Sequence, residues 1–131
     1  MDPATPQPTA SSSGPLRAAT DEPVMIVVSP VKADQWEQHE HFVRNILLPA
    51  SEKLDPVAHR QVRFLVPTKQ NEDGTYTAIF LMDPRQEGLA YDIQEVLAKV
   101  YGEQQAEEYL QRFVNTLAGD QVVYEMRQSS W

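Results

Sequence analysis

Apolar residues along this chain fall into short continuous or alternating runs and longer runs with a helical period. The first run, VMIVV at 24–28, is continuous and rich in β-branched side chains, which predicts a central strand buried on both faces. Ser29-Pro30 ends it. Asp34 followed by Glu37 has the spacing of a capping box, so a helix is predicted from there to about Leu54, with Pro49 kinking or breaking it near its end. QVRFLV (61–66) alternates, with Val62, Phe64 and Val66 on one side. KQNEDG (69–74) carries turn chemistry, and TYTAIFLM (75–82) follows as the other arm of a hairpin.

Two helical stretches come next. Residues 89–101 place Leu89, Ile93, Val96, Leu97 and Val100 on one face. Gly102 interrupts, and the following stretch gathers Ala106, Tyr109, Leu110, Phe113, Val114 and Leu117, with Gly119 as its expected stop. QVVYEMR (121–127) closes the chain as an alternating strand. The order β-α-β-β-α-β, with the second helix broken near Gly102, predicts an α+β fold of ferredoxin-like type. Four antiparallel strands would then carry both helical layers on one face.

The opposite face of that sheet is not polar. If Phe64, Tyr76, Phe80 and Tyr124 point toward the helices, then Leu65, Ile79, Leu81 and Val123 point away. Such a patch would be large and exposed, and a second copy packing sheet to sheet would cover it as a two-fold homodimer. Arg63, Glu125 and Arg127 would lie at the rim or pair across it.

Composition bounds the rest. The 131 residues, 41% of them hydrophobic, suit one domain with a real core. Residues 1–22, rich in Pro, Ser, Thr and Ala, are expected to be a disordered tail, leaving 23–131 as the domain. A net charge of −8 argues against nucleic acid and against anionic membranes as partners. The absence of cysteine excludes disulfides and thiol chemistry. No apolar h-region follows Met1, and no run approaches the ~20 residues that span a bilayer, so a cytoplasmic location is expected.

Candidate chemistry concentrates in EQHEHFVR (37–44), which holds two of the three histidines. At about 100° per residue, His39 falls in the apolar arc of Trp36, Val43, Ile46, Leu47, Ala50 and Leu54. His41 falls on the opposite, solvated side. Two residues apart, they cannot chelate one ion from one helix. Glu37 and His41 are four apart and with a third ligand could hold a metal, but they read, like Glu40 and Arg44, as an exposed surface pair. His39 is either a partly buried histidine held by one backbone or hydroxyl partner, or a general base or ligand anchor in a pocket. Tyr76 and Tyr124 could share that pocket. His59, in the Pro56–Gln61 connection, is expected to be solvated. No nucleophile elbow or phosphate-binding glycine loop is present, and Glu103, Glu107 and Glu108 read as a solvated helix face.

The element order, the two-sided first strand, the broken second helix and the closing VVYEMRQS resemble the dimeric α+β barrel superfamily over roughly residues 24–128. That group includes antibiotic-biosynthesis monooxygenases, EthD-like proteins, stress-responsive barrel proteins and haem-degrading monooxygenases. The resemblance implies a homodimer with a ligand cavity between sheet and helices. The Asn, His and Trp of the haem-degrading members are not matched: Trp36 and His39 lie on the first helix and the first strand has no Asn. No cofactor and no metal is expected. The expected site has His39 as catalytic candidate and Trp36, Phe64, Tyr76 and Tyr124 against a small apolar or aromatic ligand. Conversion would be by cofactor-independent, monooxygenase-like chemistry or by acid–base chemistry. The alternative is a non-catalytic homodimeric interaction module.

Overall fold

The computed structural model describes residues 17–130. Strands β1 (Pro23–Val31), β2 (Val62–Leu65), β3 (Tyr76–Met82) and β4 (Val122–Arg127) form one antiparallel sheet in the order β2-β3-β1-β4. The two β-α-β halves interlock, so β1 and β3 are central and β2 and β4 are edges. This is the ferredoxin-like α+β arrangement expected from the element order.

The first helical layer begins with a 3-10 turn, Ala33–Gln35, and continues as α1 (Trp36–Phe42). No side chain caps either start, so the Asp34–Glu37 capping box is not formed; the tight turn takes its place. Pro49 does not break the helix. A π-helical turn, Val43–Leu47, precedes it and joins α1 to α2 (Leu48–Leu54), with the Leu48 N–H donating to the Val43 carbonyl. The widened turn fits the missing proline donor and gives room where its ring would crowd the preceding turn. Residues after Asp55 form a further short helix, α3 (Pro56–Gln61), in place of the expected connection. His59 is half-buried there rather than solvated.

The second layer is α4 (Ile93–Tyr101) and α5 (Glu103–Asn115). Gly102, at φ 89° and ψ 159°, separates them. That region is essentially closed to residues with a Cβ, and it lets one helix end and the next begin within a single residue. α5 stops at Asn115, ahead of Gly119, because Thr116 and Leu117 turn to join β1. Lys32 N–H donates to the Thr116 carbonyl (2.9 Å) and Ala118 N–H to Pro30 (2.8 Å). Val114, expected on the buried face of α5, is exposed.

The core lies between sheet and helices, around Phe42, Val43, Leu47, Phe80, Leu97 and Phe113. Phe64, Phe80, Val27 and Val123 stand in one register across the four strands, on the helix side. Tyr124 pairs with Ile26 and so lies on the opposite face, 51% exposed. The alternation expected for β4 is therefore inverted. Val123 faces the helices, Tyr124 faces away, and Glu125 and Arg127 leave the outer face. That outer face is more apolar than expected, with Leu65, Val122, Tyr124 and Met126 exposed beside Ile26, Ile79 and Leu81.

The domain also begins earlier than residue 23. Ala18 is 1% exposed and its N–H donates to Asp83 (2.6 Å), while Asp21 pairs with Arg127 (2.8 Å). These contacts tie residues 17–22 down. The rest of the expected tail, 1–16, lies outside the described residues.

Candidate functional site

His39 points inward as its helical position requires, and it is fully buried at 0% exposure. Its Nδ1 lies 2.9 Å from Thr116 Oγ1, across the seam where α5 meets β1. The Thr116 hydroxyl donates its own proton to the Phe113 carbonyl (2.6 Å), so its oxygen is the acceptor toward His39. This fixes the tautomer: Nδ1 carries the hydrogen and Nε2 holds a lone pair. Nε2 is buried with no hydrogen-bond partner. Around the imidazole stand the rings of Trp36, Phe113 and Phe64, at centroid separations of 5.6, 5.3 and 6.1 Å. Burial in this apolar setting lowers the imidazole pKa from 6.5 to about 4, so the ring is neutral at neutral pH.

Tyr76 joins the same cluster through Trp36 (5.7 Å). Four of the five residues expected at the site, Trp36, His39, Phe64 and Tyr76, are thus brought together. Tyr124 is not, being on the far face of the sheet. His41 is exposed and lies against Asn45 Nδ2 (3.1 Å) rather than Glu37, and Glu40 pairs with Arg44 at 3.8 Å. Among the described residues no three histidines or carboxylates come together to hold a metal ion, and no helix is long and apolar enough to cross a membrane.

One open space lies away from this cluster. A cavity of about 380 Å³ lies between the other half of the sheet and helices α2 and α4, floored by Met25, Val27, Phe80, Met82 and Val123 and roofed by Leu47, Leu48 and Val96. None of Trp36, His39, Phe64, Tyr76 or Tyr124 lines it. Its polar wall comes from Ser51, Gln121 and the loop between β3 and α4, which contributes Arg85, Tyr91 and Asp92.

That loop is fastened along its length. Arg85 N–H donates to the Pro23 carbonyl (2.8 Å). The Tyr91 hydroxyl donates to Gln61 (2.5 Å) and accepts from the Gln86 N–H (3.0 Å). Asp55 accepts from Ala90 N–H (3.0 Å) with one oxygen and caps α3 through Ala58 N–H (3.1 Å) with the other. These bonds, that from Ala90 foremost, hold the Asp55 carboxyl below the usual carboxylate range. The stabilisation is present above the ordinary carboxylate pKa and fades as acid protonates the group. Asp55→Ala is expected to cost about 1 kcal/mol, and Asp55→Asn, also a good cap, much less. Equal losses in urea melts of the two variants would exclude the capping role.

Sequence reasoning missed Arg85, Tyr91 and Ser51. A loop has no periodicity that aims a side chain, and the spacing of Ser51 on its helix marks it only as inward-facing.

No family profile matches the chain, and no curated protein does. Among solved structures it is similar to a proposed antibiotic biosynthesis monooxygenase from Caulobacter crescentus, at 14% identity over 85% of this chain and 92% of that one, with a TM-score of 0.46. A second proposed antibiotic biosynthesis monooxygenase, from Nitrosomonas europaea, has 14% identity over 86% and 94%, TM-score 0.45. A dimeric ferredoxin-like protein of unknown function from Thermobifida fusca has 18% identity over 82% and 92%, TM-score 0.44. The fold class itself rests on the strand order and pairing within this chain.

Proposed function

We propose that this protein binds a small, mainly apolar molecule between its sheet and helices, and does so as a homodimer. The observation that carries the binding is the 380 Å³ space lined by aliphatic and methionine side chains with a few convergent polar groups. Its size and lining are those of small-molecule sites. Turnover by cofactor-independent oxygenation or by acid–base chemistry was expected to centre on His39. That residue is sealed in the aromatic cluster and does not line the cavity, so binding is the activity proposed. Calorimetry against a panel of aromatic metabolites tests it. Ala90→Phe, which places a ring in the space beside a cavity-lining backbone, is expected to abolish binding while the circular dichroism spectrum stays native. Binding that survives the filled cavity would place the site elsewhere.

The homodimer is supported by the outer sheet face. Leu65 (44%), Tyr124 and Met126 are exposed on a surface whose one charged strand residue, Arg63, is paired with Asp83. Sedimentation at micromolar concentration is expected to show a dimer, and Tyr124→Lys a monomer. A monomeric wild type would sink this reading and leave the cavity untouched.

A further inference from the structure

Arg85 is the unusual residue of the cavity. Its Nε is buried and has no hydrogen-bond partner, and no carboxylate lies within ion-pairing distance of its guanidinium among the described residues. A buried guanidinium N–H without an acceptor is costly, because it has given up water and received nothing in return. The group is also held in place. Its guanidinium carbon sits 5.6 Å from the centroid of the Tyr91 ring, within cation–π range, and that ring is anchored by its hydroxyl to Gln61 and Gln86. The backbone of Arg85 is fastened to Pro23. The cation is therefore positioned by both its main chain and its aromatic platform, and it lines the cavity with no ion-pair partner among the described residues.

Asp92, the one carboxylate lining the same space, does not meet that donor. Its Oδ2 accepts the Glu95 N–H as the N-cap of α4, and its charge is offset there by the helix N-terminus. The remaining walls are apolar apart from Ser51, Gln121 and the satisfied Tyr91 hydroxyl. A ligand suited to this space has an apolar body for the methionine and aliphatic floor and a single oxyanion for Arg85.

Resting on the cavity proposed above as a binding site, we infer that its ligand class is small aromatic or branched apolar carboxylic acids, with the carboxylate paired to the Arg85 guanidinium that lines the space. A guanidinium can offer two parallel N–H donors to the two oxygens of a carboxylate, which a lysine ammonium cannot.

The test uses 2-naphthoate and indole-3-acetate, each against its neutral amide, by calorimetry on the full chain. Wild type is expected to bind the acids about ten- to a hundredfold more tightly than the amides. Arg85→Gln is expected to bring the acid-to-amide affinity ratio to about one. Acids and amides bound equally by wild type, or an acid preference that survives Arg85→Gln, would overturn the inference and leave the cavity standing. If no acid or amide binds, the cavity reading fails and the inference with it. Should Arg85→Gln not fold, the acid-to-amide ratio of wild type decides alone.

Discussion

Between pH 6.5 and about 4 the protein is expected to lose about 3 kcal/mol of stability through His39 alone. In the unfolded chain this imidazole takes up a proton near pH 6.5, whereas in the fold burial holds the neutral form down to about 4. Across that window the unfolded state binds the proton and the native state does not, so stability falls as pH falls and levels off below the window. Burial is the cause of the shift, and among the described residues the ring packs with Trp36, Phe64, Phe113 and the Thr116 hydroxyl. His39→Phe keeps an aromatic ring in the cluster and removes the titrating group. Urea melts at pH 7 and pH 4 should differ far less for this variant than for wild type. An unchanged pH slope in His39→Phe would show that the imidazole is not the source.

Phe113→Ala is expected to cost about 3–5 kcal/mol, the range for truncating a buried aromatic side chain. Phe113 is 2% exposed and touches both His39 and Phe42 (5.6 Å), so it joins α5 to α1 at the centre of the core. Its carbonyl also receives the Thr116 hydroxyl, and a cavity beside that turn would loosen the hydrogen bond that orients His39. Chemical denaturation showing a loss under about 1 kcal/mol would mean that the cluster collapses around the gap.

The helical positions that matter most were legible because period and polarity agreed there. Trp36 and His39 share the arc of Val43 and Leu47, and the structure buries His39 and separates it from His41 for that reason. The partner that fixes its tautomer was not legible, since Thr116 is 77 residues away and meets it only through the seam of α5 with β1. The orientation of β4 failed for a different reason. In VVYEMR both alternating sets contain apolar residues, so patterning alone does not choose a face, and pairing with β1 decides it. The capping box failed because a 3-10 turn used Asp34 inside the helix start. The cavity is not lined by Trp36, His39, Phe64, Tyr76 or Tyr124. Its location depends on how α2 and α4 sit over the sheet, which no local pattern encodes.

Consecutive residues Val123 and Tyr124 belong to opposite sides of a strand that only β1 holds in the sheet. One side closes the cavity floor and the other contributes to the apolar outer face. β4 is thus a shared wall. Whatever orders it from one side lowers the conformational cost of ordering it from the other, and such linkage is reciprocal. The proposed self-association and the proposed ligand binding would then be coupled through six residues of backbone, without any relay through the core.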